Sequence, residues 1–484
     1  MASGSMLGFT HVEQRYPDKR PADERAGDFH EIAGHWALAA AGEQSARCSQ
    51  CGVPFCQIHC PLQNHIPDWL KLAAEGRLRE AHELASSTST MPEICGRICP
   101  QDRLCEGNCV IEQSGHGAVT IGSVEKFITD TAWENGWVEP LRPVADRSGQ
   151  SVGIIGAGPA GLTAAELLRQ KGYDIHVYDR HDRAGGLLIY GIPGFKLEKH
   201  VVARRVQRLA EGGIHFHLET EIGKHLPFAE LRDRHDAVVI ATGVYQAREI
   251  TVPGHDLPGV VPALDYLIAS NRKGLGDTVA RFECGDLNAH GRRVVVVGGG
   301  DTAMDCVRTA VRQGAASVTC LYRRDRSNMP GSAREVAHAE EEGVAFRWLA
   351  APEAFVSGGN GRVGLVSTRQ MRLGLPDASG RRSPEPDPAG SFGIEADLVI
   401  KALGFDAEPL PTLFEEPGLA ATRWGTLRVD GRTFETSLPG VFAVGDIVRG
   451  ASLVVWAIRE ARDAVPHIHA HMRARLDAAA RIAA

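Results

Sequence analysis

The sequence predicts an α/β protein in which two Rossmann-like dinucleotide-binding domains follow a mostly helical, cysteine-rich domain. Two glycine-rich turns, each placed after an apolar strand and before a helix, indicate βαβ units that begin at Gly156 and Gly298. Eight of the 11 cysteines lie upstream, between residues 48 and 109. A chain of 484 residues has the length of about three domains at roughly 100–200 residues each.

The composition excludes several classes of protein. The 53 Lys+Arg and 60 Asp+Glu give a formal charge of −7, and the cations are scattered, so the basic patch of a nucleic-acid-binding protein is missing. No apolar run approaches the roughly 18 residues that span a bilayer, and no signal-peptide core is found. We therefore expect a cytoplasmic protein that binds neither nucleic acid nor membrane. Clustered cysteines in such a protein indicate metal binding or redox chemistry rather than disulfides.

Residues 1–148 are predicted to form the helical domain. This stretch lacks long β-branched runs, and the apolar residues between Asp68 and Leu84 recur at helical spacing. Its cysteines form two groups of four, which are Cys48-x2-Cys51-x4-Cys56-x3-Cys60-Pro and Cys95-x3-Cys99-Pro-x4-Cys105-x3-Cys109.

The spacing of these groups favours iron–sulfur clusters. Thiolates are soft ligands that suit zinc or iron–sulfur centres. Zinc sites usually have two CxxC knuckles separated by a longer insert, which neither group has. The first group instead resembles the ferredoxin run CxxCxxCxxxCP with a longer middle spacing. Zinc sites and structural thiols are the alternatives, and Cys284, Cys306 and Cys320 are predicted to be packing residues.

The first glycine-rich turn matches the GxGxxG fingerprint in the run Gly156, Ala157, Gly158, Pro159, Ala160 and Gly161. In such a turn the first glycine permits the tight bend, the second lets backbone N–H groups approach a pyrophosphate, and the third lets helix and strand pack closely. Asp179 ends the next strand, where an acidic residue binds ribose hydroxyls. A dinucleotide site is therefore predicted, with a chance glycine-rich turn as the alternative.

Three further motifs indicate FAD as the dinucleotide of this first domain. Two buried strands end in motifs that resemble the ATG and GD motifs of flavoproteins with two dinucleotide domains, and a Gly-Gly run resembles the one that such flavoproteins place near the flavin. In that class the GD aspartate contacts the ribityl and phosphate region of FAD, which implies this role for Asp446. The motif residues are Thr242 and Gly243, Gly445 and Asp446, and Gly186 and Leu187.

The second glycine-rich turn fits the GxGxxA variant and indicates NADPH. Its predicted binding residues are Gly298, Gly300, Asp301, Thr302 and Ala303, with Gly404 at the end of a later strand. The strand after this turn ends in Arg323 and Arg324 rather than in an acid. Guanidinium groups at this position can pair with the 2′-phosphate of NADPH, although solvated surface charges are the alternative.

These motifs divide the chain into four segments. They are a helical cluster domain (1–148), a first part of the FAD domain (149–285), an inserted NADPH domain (286–404) and a second part of the FAD domain (405–484). The residues from about 375 to 392, rich in Gly, Pro, Ser and Asp, are predicted to be a surface loop. Hydride passes between two such cofactors without an acid, base or nucleophile, so no catalytic side chain is predicted. No CxxC accompanies either nucleotide domain, which argues against dithiol exchange.

The order of these motifs resembles that of the small (beta) subunits of bacterial NADPH-dependent glutamate synthases over essentially the whole chain. The resemblance rests on both cysteine groups, both glycine turns and the runs at 92–109, 328–336 and 445–458. The cysteine domain with two nucleotide domains is also similar to the N-terminal part of dihydropyrimidine dehydrogenase and to the large subunit of NADH-dependent ferredoxin:NADP oxidoreductases. Architecture alone therefore does not identify the substrate.

The resemblance implies two 4Fe–4S clusters whose ligands cross between the cysteine groups. One cluster would take Cys48, Cys51, Cys56 and Cys109. The other would take Cys60, Cys99 and Cys105, with Glu125 as the fourth ligand. Cys95 is the rival for that fourth position.

The resemblance also implies the function. NADPH would reduce FAD, and electrons would pass through the clusters to a large (alpha) subunit, docked through the cluster domain, that makes L-glutamate from glutamine and 2-oxoglutarate. A hetero-oligomer is expected. The alternatives are an NADPH:ferredoxin-type or pyrimidine-reducing oxidoreductase subunit with another partner, and a non-catalytic scaffold that binds zinc and nucleotide.

Overall fold

A computed structural model describes residues 6–143, 147–359, 361–377 and 382–483. Up to residue 143 the described chain contains helices and no strand, as predicted. These helices are α1 (Ala22–Arg25), α2 (Leu38–Ser45), α3 (Phe55–Ile58), α4 (Ile66–Ala74), α5 (Leu78–Ser86), α6 (Pro92–Ile98), α7 (Val110–Gln113) and α8 (Ile121–Glu134). The predicted helical stretch 68–84 is divided between α4 and α5 because Gly76, at φ 76°, turns the chain between them.

The rest of the described chain alternates strands and helices. The strands are β1 (Arg147–Ile155), β2 (Tyr173–Tyr178), β3 (Ile214–His217), β4 (Ala237–Ile240), β5 (Gln246–Ala247), β6 (Val260–Pro262), β7 (Arg293–Val297), β8 (Ser317–Tyr322), β9 (Ala345–Trp348), β10 (Ala350–Ser357), β11 (Val363–Pro376), β12 (Arg382–Glu395), β13 (Leu398–Lys401), β14 (Phe405–Asp406) and β15 (Val441–Ala443). The helices are α9 (Pro159–Gln170), α10 (Leu187–Tyr190), α11 (Lys199–Glu211), α12 (Phe228–Arg234), α13 (Ala263–Gly274), α14 (Ala280–Glu283), α15 (Asp301–Arg312), α16 (Ala333–Glu341), α17 (Leu410–Leu413), α18 (Asp446–Arg449) and α19 (Val454–Ala483).

Two five-stranded sheets, each entirely parallel, form two dinucleotide-type units, which confirms the predicted α/β class. The first unit has the strand order β15-β4-β1-β2-β3, and the second has the order β6-β13-β7-β8-β9. The strands β1 to β4 precede the second sheet in the sequence and β15 follows it, so the first sheet combines segments from both sides of the second sheet. Parallel sheets of this kind bind ligands at the carboxyl ends of their strands.

Strand pairing bears on the predicted boundary between residues 285 and 286. Val260 and Val261 pair in register with Val399 and Ile400, so β6 belongs to the second sheet. Tyr266, on α13, is fully buried in the core of the same unit. We therefore propose that the second unit begins before residue 260.

The loop predicted at 375–392 is largely strand. β11 extends to Pro376 and β12 begins at Arg382, and the two form an antiparallel sheet with β10. Residues 378–381 of the predicted loop lie outside the described residues. β12 contains Pro384 and Pro386, which an edge strand tolerates because one side of its backbone needs no partner. Its polar, proline-rich sequence lacks the apolar alternation from which strands are recognised.

The helical domain packs against the first unit. Met91 and Ile94 are fully buried in the hydrophobic core that contains Val152 and Ile154 of β1. A second core inside the helical domain surrounds Trp69, which is also fully buried. Among the described residues, no helix combines the length and apolar character needed to cross a membrane.

Candidate functional site

The first glycine-rich turn connects β1 to α9. Gly156 has φ 106°, and a Cβ there would lie 2.4 Å from the carbonyl oxygen of Ala241, so a side chain cannot be accommodated. A Cβ on Gly161 would lie 1.9 Å from the carbonyl oxygen of Gly156, which explains the close approach of α9. No described atom lies within 4 Å of a Cβ built on Gly158, the residue before α9. The N-terminus of α9 is therefore open to a phosphate group.

Asp179 follows β2 beside this turn. Its carboxylate accepts hydrogen bonds from the backbone N–H of Ala157 at 2.7 Å and of His181 at 2.8 Å. Burial disfavours the charged form, but the hydrogen bonds from His181 and Ala157 outweigh burial and hold the pKa of Asp179 below its usual value. An ionised carboxylate at this strand end can accept hydrogen bonds from ribose hydroxyls.

The remaining residues predicted for the first unit are Thr242 and Gly243 after β4, Gly445 and Asp446 after β15, and Gly186 and Leu187 at the start of α10. Burial raises the pKa of Asp446, whose carboxylate accepts a 2.8 Å hydrogen bond from the Ser452 hydroxyl. A Cβ on Gly186 would lie 2.9 Å from the Cα of Gly158. The Gly-Gly run therefore lies directly against the first glycine-rich turn.

The second glycine-rich turn repeats this geometry between β7 and α15. Gly298 has φ 147°, and a Cβ there would lie 2.2 Å from the carbonyl oxygen of Ala402. No described atom lies within 4 Å of a Cβ built on Gly300, so the N-terminus of α15 is also open. The first helical residues are Asp301, Thr302 and Ala303, and Gly404, at φ 93°, follows β13.

Arg323 and Arg324 follow β8, which pairs with β7 next to the second turn. Arg323 is exposed and forms no salt bridge with the described residues. Arg324 donates a 2.6 Å hydrogen bond to the carbonyl oxygen of Arg382, while its buried Nε has no partner among the described atoms. Guanidinium groups with unused donors can bind a phosphate at this position.

A cavity of about 310 Å³ lies where the helical domain, the first unit and the second unit meet. The predicted residues that line it are Cys99, Gly156, Gly158, Pro159, Ala160, Asp179, Leu187, Thr242, Gly243, Asp301, Thr302 and Asp446. Those outside its wall include Gly161, Gly186, Gly298, Gly300, Ala303, Arg323, Arg324, Gly404 and Gly445. One central cavity therefore joins elements of both glycine-rich regions to the cysteine domain.

Several residues of this central cavity were missed by the sequence analysis. Arg97, Lys196, Asp305 and Arg334 line it, and Lys196 donates a 2.9 Å hydrogen bond to Asp305. Asp305 could have been found because it stands four residues after Asp301 on α15, hence on the same helix face. The other three come from distant segments. Arg97 and Arg334 fall within the runs 92–109 and 328–336 that carry the family resemblance, whereas nothing in the local sequence marks Lys196.

The first cysteine set surrounds one small cavity. Cys48, Cys51, Cys56 and Cys109 all line it, together with apolar residues. Burial raises the pKa of Cys48 to about 11 and that of Cys56 to about 12. These thiols therefore stay protonated near neutral pH unless a metal binds, since the metal ligand is the thiolate. Four convergent thiols, of which that of Cys109 is buried and the other three are partly buried, fit a metal centre.

In the second set, Cys99 directly follows α6 and Glu125 lies on α8. The helices α6 and α8 approach closely because Gly96 has no side chain. A Cβ on Gly96 would lie 2.7 Å from the backbone nitrogen of Lys126. Burial is the main cause that raises the pKa of the Cys60 and Cys105 thiols, and Cys95 is the main cause for Cys99. The charge of Glu125 raises the pKa of all three thiols further, so Glu125 lies close to each of them.

Both rivals for the fourth position are present. The Cys95 sulfur lies 3.8 Å from the Ser89 hydroxyl. Glu125 receives a 3.5 Å hydrogen bond from Asn64 and forms no salt bridge with any described residue. Burial, followed by the charge of Glu93, raises the pKa of Glu125 to about 8. A buried carboxyl with no basic partner fits a position that a cation occupies.

The sulfur positions do not fit mononuclear zinc. Tetrahedral zinc, with Zn–S distances of about 2.3 Å, holds neighbouring sulfurs about 3.8 Å apart. No three potential ligand atoms of the described cysteine domain lie within 4.8 Å of one another. Neither cysteine set, among the described residues, therefore presents the compact group of ligand atoms that mononuclear zinc holds.

Comparisons with known families match these two parts of the chain. A family model described as dihydropyrimidine dehydrogenase domain II, 4Fe-4S cluster, matches residues 25–137. A model described as pyridine nucleotide-disulphide oxidoreductase matches residues 150–461, which is more than half of the chain. The chain is therefore an oxidoreductase of the pyridine nucleotide-disulphide class with a 4Fe–4S domain in front.

Similarity to single proteins narrows this class. The chain is 63% identical over 484 residues to the glutamate synthase (NADPH) small chain of Azospirillum brasilense, and the match covers 100% of both chains. The chain belongs to the family of glutamate synthase small chains, which confirms the resemblance found in the sequence. It is also 45% identical over 456 residues to the putative oxidoreductase AegA of Escherichia coli K12, covering 93% of this chain and 69% of that protein.

A solved structure shows the same fold for the nucleotide-binding part. Mycobacterium tuberculosis FprA in complex with NADPH matches with a TM-score of 0.57 and 20% identity, covering 68% of this chain and 86% of FprA. The likeness concerns the fold alone.

Proposed function

We propose that the protein is the electron-input subunit of a glutamate synthase. It takes electrons from NADPH and delivers them to a large subunit that makes L-glutamate from glutamine and 2-oxoglutarate. When bound, NADPH supplies a hydride to FAD, and two 4Fe–4S clusters carry the electrons onward one at a time. The observation that carries this proposal is the central cavity, because it joins both glycine-rich regions to the cysteine domain.

In this proposal the chain's residues bind and align the cofactors. The first unit binds FAD through Gly156, Gly158, Pro159, Ala160, Gly161, Asp179, Gly186, Leu187, Thr242, Gly243, Gly445 and Asp446. The second unit binds NADPH through Gly298, Gly300, Asp301, Thr302, Ala303, Arg323, Arg324 and Gly404. The open N-termini of α9 and α15 support this division because each can face a pyrophosphate.

The cysteine sets support a route from the central cavity to the surface. Cys99 lines the central cavity. Cys105, a member of the second set, lies close enough to Cys56 of the first set for the charge of Cys56 to raise the pKa of its thiol, although burial raises it most. Cys56 lines the cavity of the first set together with Phe55, which is 46% exposed. Electrons would therefore leave through the set containing Cys99 and then through the set nearer the surface.

We assign the fourth ligand of the second cluster to Glu125. Its buried carboxyl has no basic partner among the described residues, so bound iron would supply the missing positive charge. The Cys95 sulfur already has a partner in the Ser89 hydroxyl, 3.8 Å away. The full ligand sets are then Cys48, Cys51, Cys56 and Cys109 for one cluster, and Cys60, Cys99, Cys105 and Glu125 for the other.

An exposed apolar surface beside the first cysteine set is the proposed docking site of the large subunit. Its residues are Val53, Phe55, Ile58 and Val110, which are 40–59% exposed. Exposed apolar patches of this kind mark protein–protein contacts. Docking here would bring the acceptor close to the outer cluster, as electron transfer requires.

Cofactor analysis of anaerobically prepared protein tests the proposed chemistry. We expect one FAD per chain and about eight irons with equal sulfide, as two 4Fe–4S clusters require. A colourless protein that contains zinc and no iron would instead support the non-catalytic scaffold.

The partner is tested separately by adding the large subunit. We expect a stable complex and NADPH oxidation that requires both glutamine and 2-oxoglutarate. Omitting 2-oxoglutarate is the control. NADPH oxidation that continues at the same rate without 2-oxoglutarate contradicts the assigned reaction.

A second candidate is an NADPH:ferredoxin-type or pyrimidine-reducing oxidoreductase subunit with another partner. The similarity to the putative oxidoreductase AegA favours this second candidate as an alternative. This candidate predicts the same cofactors but no complex with a glutamate synthase large subunit, and reduction of ferredoxin or a pyrimidine instead.

A further inference from the structure

Histidines gather on one face of the first sheet, where β2 pairs with β3. Because side chains alternate along a strand, Asp174 and His176 share a face of β2, and His215 and His217 share a face of β3. Strand pairing places His176 directly beside His215. None of these four residues lines the central cavity.

Three of these side chains, those of Asp174, His176 and His215, approach one another as metal ligands do. One oxygen of Asp174 and one nitrogen each of His176 and His215 lie within 4.8 Å of one another, the one such group among the described residues. Oδ2 of Asp174 lies 3.2 Å from Nε2 of His176, and Oδ1 of Asp174 lies 3.4 Å from Nε2 of His215. Tetrahedral zinc with ligands at about 2.0–2.1 Å holds neighbouring ligand atoms about 3.3 Å apart.

We propose that Asp174, His176 and His215 bind one divalent late-transition-metal cation, of which Zn²⁺ is the representative. Two imidazoles and one carboxylate suit zinc, copper or nickel better than the all-oxygen sites of magnesium or calcium. The carboxylate offsets one of the two positive charges. This inference does not rest on the proposed function.

A supporting hydrogen bond orients one of the ligands. Nδ1 of His176 lies 2.9 Å from Nε2 of His217, while Nε2 of His176 faces Asp174. Ligating histidines generally donate their second ring N–H to a neighbouring acceptor, and this contact supplies one. The His217 ring is itself held by stacking on Tyr178, with ring centroids 4.5 Å apart.

The site is reachable from solvent. The side chains of His176, Asp174 and His215 are 23%, 37% and 57% exposed, so a cation can enter and retain an open coordination position. Arg234, a cation near this face, is paired with Glu230. Bound metal would tie β2 to β3 beside Asp179, whose N–H donates to the His217 carbonyl.

Zinc binding to the cluster-loaded holoenzyme tests the proposal. Loaded clusters keep the cysteines from capturing the probe, and equilibrium dialysis against Zn²⁺ measures the bound metal. We expect one zinc per chain with no loss of iron. The variants H215A and D174N should each lose this zinc, and H217F, which keeps a stacking ring but no acceptor nitrogen, should bind about 10–100-fold more weakly.

The controls separate metal binding from misfolding. H200A removes an exposed histidine on α11 and should retain one zinc. Flavin and iron contents equal to those of the wild type establish that a variant is folded. If D174N unfolds, H215A alone tests zinc binding, because His215 is the most exposed ligand. The proposal is overturned if the wild type binds no zinc, if zinc enters only as iron is lost, or if folded H215A retains the wild-type affinity.

Discussion

Replacing Glu342 with glutamine is expected to destabilise the protein by about 3 kcal/mol. The fully buried carboxylate of Glu342 follows α16 and accepts hydrogen bonds of 2.6–3.1 Å from Arg25, Arg308 and Arg312. Arg25 belongs to α1 of the helical domain, whereas Arg308 and Arg312 lie on α15 of the second unit. One carboxylate therefore joins two parts of the molecule that the proposed electron route requires to stay together.

The magnitude follows from the pKa of Glu342. Burial raises this pKa, but the hydrogen bonds and charges of the arginines outweigh burial and lower it from 4.5 to about 2. At roughly 1.4 kcal/mol per pKa unit, this shift corresponds to about 3 kcal/mol of stability. Because the pKa is lowered on folding, the contribution is complete above about pH 4.5 and is lost as the pH falls toward 2. An assay at pH 7 therefore measures all of it.

Urea unfolding at pH 7 measures the effect, and limited proteolysis reports whether the helical domain has loosened. Glu340→Gln is the matched control, since Glu340 lies two residues earlier, on α16, in an exposed pair with Arg326. Such a pair contributes less than about 1 kcal/mol. Equal free energies of unfolding for the two variants would refute the role assigned to the buried carboxylate.

Three further predictions concern the cofactors and the partner. Replacing Arg323 and Arg324 together by alanine should lower the kcat/KM preference for NADPH over NADH at least about tenfold, because charged hydrogen bonds contribute roughly 1.5–3 kcal/mol; an unchanged ratio contradicts the assignment. Glu125→Ala should remove about half of the iron, as loss of one of two clusters requires, while Cys95→Ala retains it, and the reverse result makes Cys95 the ligand. Phe55→Glu should weaken binding of the large subunit at least about tenfold without slowing NADPH-driven reduction of ferricyanide; wild-type affinity rejects this docking surface.

Each of these predictions has a matched control. Arg326→Ala removes an exposed arginine close in sequence to the pair at 323 and 324, and the NADPH preference should persist. Glu134→Ala removes an exposed carboxylate from α8, the helix of Glu125, and the iron content should persist. Trp424→Glu replaces a 65% exposed aromatic residue of the first unit with a charged one, and binding of the large subunit should persist.

The parts of the fold that could be predicted from sequence are those with strict local demands. Gly156 and Gly298 were recognisable because each turn excludes a side chain at positive φ. The three-residue strand Val260–Pro262 was not, because it is too short to show a period and joins its sheet only through partners more than 100 residues away. β11 and β12 were missed in the segment 375–392 because antiparallel pairing of a polar hairpin rests on backbone hydrogen bonds rather than on apolar alternation.

The candidate site could be predicted only in part, for a related reason. Cysteine spacing identifies two groups of four because those residues are few and chemically distinct. Only the resemblance to a known family implied that Cys109 of the second group joins Cys48 of the first, and the structure brings these two residues to one cavity. Lys196 and Arg334 are ordinary surface residue types in the sequence, and only the packing of distant segments brings them to the central cavity.

The proposed cluster ligands are also part of the hydrophobic core. Cys105 and Cys109 are buried in the core of the helical domain around Trp69. A buried carboxyl without a basic partner costs free energy unless a metal binds, and a thiol binds metal only as the thiolate, so we expect cluster binding and folding of this domain to be coupled. Cys99 extends this coupling to the wall of the central cavity, and Met91 packs the same domain into the core of the first unit. A shared core holds the cluster domain at a fixed distance from the dinucleotide units, and rapid electron transfer between bound cofactors depends on that distance.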